Sequence, residues 1–579
     1  MSKEESKYSW IKKVTLISIG ILIVATVMFS FFVSKRDFDN EFAIGSNIKV
    51  EKLSKNQVEN LEKLCKVWGL AKYYHPKVIS GDVNWDYELF RVMPDVLAAK
   101  NSNDTDKILY EWIDKLGEIK ENPKEDKDKE VILERDVDWI SDEKYIDKKL
   151  SGLLIKISNT NISKRNKAYV NYSKVSGFTE FKNESEYSNI KYDDTGYKLL
   201  SLFRYWNIIQ YYYPYRDVIE EDWDSVLTEF IPKFIETKDE LGYKLTISEL
   251  TTKIQDPHVR VKDNQGILNE FWGDKFAPIE FGLIENNIVI TNIIPKYKNE
   301  CNLKEGDIVL KIDDKEIFEV IKEKSKYKSL SKKSAIVKVL QDYLFRTQND
   351  EMKITIKRDG TNRTENIKCY DDMDMFNIKS DSHKLLKGNI GYINPGQLKK
   401  GEIDKIMDKF MDTKGLIIDL REYPSDVIRN SLGEYLMPKE VVFSKISMSN
   451  ELVPGEFILL DEDSKVGKDN NDYYKGKVTI LMNERSQSQS EFTIMAFRQA
   501  PNATVIGSDS IGTDGAITEF SLPGNVTTSI TGFGVYNPDK SQTQRIGIKP
   551  DIYIEPTIQG IKENRDELIE KAIEVINNK

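Results

Sequence analysis

Three serines, Ser486, Ser488 and Ser490, alternate through a polar turn between the apolar run KVTILMN and the helix-like EFTIMAF. A serine at the end of a strand and the start of a helix is placed for nucleophilic chemistry. The free amides and the positive dipole end stabilise a developing oxyanion there. Helix capping is the other use of such a serine. A nucleophilic serine needs a base at neutral pH, and the chain holds three histidines, His75, His258 and His383. An imidazole titrates near neutrality, which suits that task. A multi-histidine metal centre would need all three together and is set aside. Three cysteines, Cys65, Cys301 and Cys369, form no C-x-x-C pair. That excludes a disulfide framework and a zinc ribbon and leaves them as small buried hydrophobes. No metal or cofactor is implied.

The elements that hold these residues begin with an internal repeat within residues 50–260. LCKVWGLAKYYHPKVISGDVNWDYELFRVMP (Leu64 to Pro94) aligns without a gap to LFRYWNIIQYYYPYRDVIEEDWDSVLTEFIP (Leu202 to Pro232), at a shift of 138. Trp68/Trp206, Tyr73/Tyr211, Pro76/Pro214, Trp85/Trp223 and Asp86/Asp224 match. The apolar spacing predicts helices broken at Y-x-P. His75 faces Tyr213, so that position takes a large ring and His75 reads as structural. His258 faces Lys120, and only the second copy ends in DPHV. A duplicated scaffold with a histidine in one copy points to one specialised site.

Residues 276–360 read as a small β-rich module: alternating strands, an N-N turn, GDIVLKIDDKEI with a tight D-D turn, then EMKITIKRDG. From about 385 to 556 strands alternate with helices: GNIGYINP, KGLIIDLRE, KVTILMN, the helix EFTIMAFRQA and the strand ATVIG. That alternation predicts a mostly parallel sheet covered by helices. A C-terminal helix fills 557–579. The fold class is multi-domain α/β and α+β. In the 579 residues, 85 Lys and Arg against 95 Asp and Glu leave a net charge of −10, which with no basic block excludes nucleic acid as the main partner. The 39% hydrophobic content excludes a disordered chain. Val14 to Ser34 is uncharged, and at ~1.5 Å per residue it reaches about 30 Å, the thickness of a hydrocarbon core. It reads as an uncleaved signal-anchor behind a cytoplasmic tail, 1–13.

The ordered motifs from about 250 to 556 resemble the C-terminal-processing (tail-specific) serine peptidases and their tricorn-type relatives. GDIVLKIDDKEI resembles their PDZ signature. GLIIDLREYPSD (Gly415 to Asp426), SQSE (Ser488 to Glu491), VIGSDSIGTDG (Val505 to Gly515) and RIGIKPDI (Arg545 to Ile552) follow in the family's order. The helical repeat resembles an extension found in some members. By motif position the resemblance makes Ser488 the nucleophile. The processing enzymes place a lysine base 25 residues later, where this chain has Thr513, and no lysine occurs between Val478 and Asp539. Tricorn-type relatives use a histidine just before the PDZ-like module, where His258 stands. The backbone amides of Ser425 and Gln489 are implied as oxyanion donors, although Ser425 and Asp426 replace the family's two glycines. Gln544, Asp514 and Asp256 are candidates to orient the base.

The resemblance implies a membrane-anchored serine endopeptidase with its body outside the cytoplasm. It would cleave peptides or proteins recognised near their C-termini, through an acyl-enzyme. The alternative is a non-catalytic peptide- or lipophile-binding protein on the same scaffold.

Overall fold

The computed structural model describes residues 39–119, 129–160, 168–173 and 177–578. The apolar stretch 14–34 and Lys120 lie outside the described residues, and among those no helix is long and apolar enough to cross a membrane.

The two sequence copies carry the same three helices. These are α1 (Lys55–Tyr74), α2 (Trp85–Ala98) and α3 (Ser102–Asp114), then α4 (Thr195–Tyr212), α5 (Trp223–Glu236) and α6 (Glu240–Thr251). Asn84, Asn101, Asp194, Asp222 and Asp239 cap five of them through side-chain oxygens, satisfying amides that the first turn leaves bare. Helices α1 and α4 both end at the tyrosine two residues before the proline. In each copy two tryptophans exchange hydrogen bonds. Trp68 Nε1 donates to the Trp85 carbonyl (3.1 Å) and Trp85 Nε1 to the Trp68 carbonyl (2.9 Å). Trp206 and Trp223 do the same at 2.8 and 3.2 Å. Aligned positions also touch each other, as in a two-fold interface. The Tyr73 and Tyr211 rings lie 5.3 Å apart. A Cβ on Gly69 would fall 1.7 Å from Asn207 Oδ1, so only glycine fits where α1 crosses α4. His75 is buried, and its Nδ1 accepts from the Lys77 amide at 3.2 Å. Helix α6 runs through a 3-10 turn (Thr252–Ile254) and a left-handed Gln255 (φ 54°) into strand β1, Val261–Asp263.

The next module is an antiparallel sheet. Its strands are β2 (Ile279–Ile284), β3 (Asn287–Ile293), β4 (Ile308–Ile312), β5 (Glu351–Arg358) and β6 (Thr361–Lys368), in the order β6-β5-β4-β3-β2. Its tight turns use Glu285, Asn286, Asp313 and Asp314 at positive φ. Acidic and amide side chains visit this conformation more readily than bulky ones do. Helices α7 (Ile317–Ser325) and α8 (Ile336–Val339) close its face.

The last module is a six-stranded sheet. Strands β7 (His383–Leu386), β8 (Ile390–Ile393), β9 (Gly415–Asp419), β10 (Lys477–Met482) and β11 (Ala503–Gly507) come first, then β14 (Ile552–Tyr553) at the far edge. Only β7 runs antiparallel to its neighbour. Strands β9 and β10 are buried almost throughout, as apolar runs in a parallel sheet must be. A hairpin, β12 (Ile517–Leu522) and β13 (Val526–Thr531), leaves this module and pairs through β13 with β1. Phe520, Leu522, Val526 and Ile530 enter the core of the helical repeat. The hairpin therefore joins the helical module to the α/β sheet.

Candidate active site

Strand β10 ends at Met482, and α9 (Gln489–Phe497) begins at Gln489. Ser488 occupies the corner with φ 54° and ψ −115°, a conformation that costs a non-glycine residue of order 1–3 kcal/mol. Glu491 holds the corner in place. This buried carboxylate accepts from the amides of Ser488 (3.1 Å), Gly512 (2.8 Å) and Thr513 (3.0 Å) and from the Ser510 hydroxyl. Burial pushes its pKa up, and those four donors pull it back. The Ser488 amide also donates to the Thr513 carbonyl at 2.9 Å. The three serines separate clearly. Ser486 is buried and donates to the Leu420 carbonyl (2.8 Å), and Ser490 is buried beside the Glu422 carbonyl (3.4 Å). Ser488 is half-buried, and its hydroxyl donates to no other side chain or carbonyl among the described residues.

His258 sits between α6 and β1, buried. The Asp256 side chain, two residues earlier, accepts from the His258 amide at 2.9 Å, a local turn that aspartate favours. The other Asp256 oxygen accepts from the Thr531 amide (3.0 Å) and hydroxyl (2.7 Å). Because that hydroxyl gives its proton to Asp256, it accepts from His258 Nδ1–H across 2.8 Å. The ring is thereby fixed in the tautomer whose Nε2 carries a lone pair. Burial lowers the His258 pKa, with Arg260 adding to the effect and Asp256 opposing it. His258 is therefore a neutral imidazole at pH 7.

Two loops bring these halves together. Gly515 (φ 110°) packs so closely on the end of β13 that a Cβ would lie 2.5 Å from the Phe533 carbonyl and 2.8 Å from Thr531 Cγ2. The Thr513 that anchors Ser488 is two residues from Gly515. No hydrogen bond joins Ser488 Oγ to His258 among the described residues.

Three expected roles need correction. The Ser425 amide donates to the Pro395 carbonyl at 3.0 Å, so it is not available to an oxyanion. One residue on, the Asp426 amide has no acceptor among the described residues, and the Asp426 carboxylate accepts from Val427 N at 2.8 Å. The Gln489 amide, at the first position of α9, has no acceptor among the described residues. Asp514 does not orient the base. Its Oδ1 accepts from the Gly515 amide (2.7 Å), and burial with the nearby Glu491 pushes its pKa well above the carboxylate range. Gln544 is buried beside the Tyr213 phenol and does not bond to His258. The residue that touches the base is Thr531, which sequence reasoning missed. Among the described residues no group of His, Cys, Asp and Glu is arranged to hold a metal.

Similarity to known proteins converges on this region. Residues 389–554 match the model of peptidase family S41. The S41 region holds Ser488, Glu491, Thr513 and Thr531, while His258 reaches it from outside. The carboxy-terminal-processing protease of Bartonella bacilliformis is 24% identical over 286 residues, 47% of this chain and 59% of the relative. A probable CtpA-like serine protease of Staphylococcus aureus strain N315 is 23% identical over 332 residues, 55% and 61%. The chain thus spans about six-tenths of the length of these curated relatives. The structure of mature CPAF complexed with lactacystin shares the fold, with a TM-score of 0.52 at 14% identity over 66% of this chain and 99% of that one.

Proposed function

We propose that the chain is a serine endopeptidase. Ser488 Oγ attacks the scissile carbonyl carbon, and His258 Nε2 takes the hydroxyl proton and passes it to the leaving amine. The same nitrogen then draws a proton from the water that hydrolyses the acyl-enzyme and returns it to Ser488. The oxyanion rests on the Gln489 amide, helped by the Asp426 amide, at the positive end of α9. The observation that carries this reading is the Asp256–Thr531–His258 relay, since it leaves a neutral imidazole with its proton-accepting nitrogen unspent. The absence of a Ser488–His258 hydrogen bond among the described residues fits sites whose catalytic hydrogen bonds tighten only in the complex.

The sequence motif and apolar stretch 14–34 support a finer reading: a membrane-anchored enzyme with its body outside the cytoplasm. In that reading the module around 276–360 is PDZ-like and holds an extended substrate, near its C-terminus, by strand addition. Ser425's spent amide favours a second reading, a peptide- or lipophile-binding protein without catalysis. Hydrolysis of unstructured protein and peptide substrates tests the choice. Ser488→Ala and His258→Ala should each abolish it, and the double variant should be little worse than either single one. Thr513→Ala should retain activity. An inert wild-type chain would favour the binding reading, and a near-normal His258→Ala would exclude His258 as the base.

A further inference from the structure

A cavity of about 480 Å³ opens between the end of α7 and the short helix Ile267–Trp272, which follows β1. That volume lies in the range of small-molecule sites, about 300–1,000 Å³. Neither Ser488 nor His258 lines it. Phe271, Trp272 and Tyr327 supply its aromatic lining. Their rings meet edge to face, with centres 5.0 Å apart for Phe271 and Trp272, 5.8 Å for Phe271 and Tyr327, and 6.3 Å for Trp272 and Tyr327. Trp272 is buried, while Phe271 keeps 39% of its surface exposed at the rim. Three rings gathered at one opening differ from the lone exposed apolar side chain that needs no explanation.

Two cations line the same cavity without an anion. Lys324 Nζ lies 5.7 Å from the Trp272 ring centre. It donates to the carbonyls of Tyr343 (2.5 Å) and Arg346 (3.5 Å). The Arg346 guanidinium donates through Nε to the carbonyl of Gly273, next to Trp272, and through Nη2 to Asn269 Oδ1 (3.4 Å). Arg346 and Thr347 pair antiparallel with Phe276 and Lys275, which fixes this side of the cavity. The other charges in the lining are spent, Glu323 on Lys315 (2.8 Å) and Lys326 on Glu249 (3.3 Å). Neither Lys324 nor Arg346 forms an ion pair among the described residues. An ammonium carries three N–H groups and a guanidinium five, so both keep donors beyond these bonds. Burial, with Arg346 adding to it, lowers the Lys324 pKa to about 8, in keeping with two like charges that no anion separates.

We infer that this cavity binds a small aromatic carboxylate, its ring packed against Phe271, Trp272 and Tyr327 and its carboxylate held by Arg346 and Lys324. Cations alone would suit any anion, and rings alone any apolar group. Together in one cavity they select a ligand that carries both. No strand from β2 to β6 lines the cavity, so strand addition of a peptide belongs elsewhere on this module. The site is therefore separate from the substrate groove of the peptidase reading and does not rest on that reading.

The test is isothermal titration calorimetry of the full chain with 3-phenylpropionate, its neutral amide and the peptide Ala-Ala-Phe. The acid should bind with a Kd on the order of 0.1–1 mM, and the amide about tenfold or more weaker, the range of one lost charge-assisted contact. Lys324→Gln and Arg346→Gln should each weaken the acid about five- to tenfold and leave the amide within about twofold. Phe271→Ala, at an exposed rim position, should weaken acid and amide alike, by about threefold or more. In the wild type, binding of the acid should weaken as salt rises from about 0.05 to 0.5 M. The acid–amide comparison, the salt series and Phe271→Ala decide the matter even if loss of a cation unfolds the module. No heat of binding at about 10 mM acid, equal affinity for acid and amide, or unchanged binding in Phe271→Ala would each overturn the inference. So would binding of Ala-Ala-Phe without binding of the free acid, which would assign the cavity to a peptide terminus.

Discussion

At the residue scale, His258 depends on a hydroxyl from a distant strand. Thr531→Val removes the acceptor of Nδ1–H and leaves Asp256 short of a donor. The ring is then free to take the wrong tautomer. kcat/KM should fall on the order of a hundredfold, within what a general base contributes, while Thr531→Ser should recover most of it. Equal activity in Thr531→Val would remove Thr531 from the site. Part of this constellation was legible in the sequence. Asp256 and His258 lie two apart in D-P-H, and the one-copy histidine marked the position. Thr531 was not legible, because threonine is an ordinary strand residue and VTTSIT carries three of them, and the contact spans 273 residues. Ser425 failed as a donor because its amide meets the Pro395 carbonyl, 30 residues earlier, a tertiary contact that residue type does not reveal.

At the scale of elements, the site depends on two loops in van der Waals contact, 512–515 after Ser488 and 531–533 after β13. Gly515 permits that approach. In Gly515→Ala the added methyl must displace the Phe533 carbonyl or the Thr531 side chain, and its φ of 110° disfavours any other residue. Activity should drop about ten- to a hundredfold, as for a shift of catalytic groups by a fraction of an ångström to one ångström. Circular dichroism should show the same secondary structure, and wild-type kcat/KM in this variant would contradict the role given to the contact. The elements themselves were read well where periodicity was strong. The strand ATVIG was read at 503–507 and forms there, and the helix read from 491 begins two residues earlier, at Gln489. The hairpin β12–β13 was not read, because its mixed polar pattern gains its order from pairing with β1 and from the helical core beneath it.

At the scale of the whole molecule, the helical repeat is fastened to the S41 region by buried charge. Arg204 on α4 meets Asp86 (2.8 Å) and Glu184 (2.9 Å), and Lys72 on α1 meets Glu184 (2.7 Å). The Arg204 guanidinium also donates to the Ser521 carbonyl on β12, across 2.8 Å. Arg204→Met would leave two carboxylates with one lysine in an environment without water. Such a loss costs about 3–5 kcal/mol, a large part of a typical stability. Chemical denaturation should show an unfolding free energy lower by that amount and a lower midpoint, and an unchanged midpoint would exclude a fastening role. The repeat was visible in sequence because its tryptophans and tyrosines recur at a fixed shift. The fastening was not, because Arg204 and Ser521 are 317 residues apart.

The central claim is that His258 activates Ser488, and labelling by a fluorophosphonate, followed against pH and mapped by peptide mass spectrometry, tests it most directly. The account predicts a single adduct on Ser488. Its rate should fall toward acid with a midpoint below the reference value of about 6.5, since burial lowers the His258 pKa and the neutral ring persists to lower pH. His258→Ala should not label. An adduct on another serine, no adduct at any pH, or labelling of His258→Ala at the wild-type rate would contradict it.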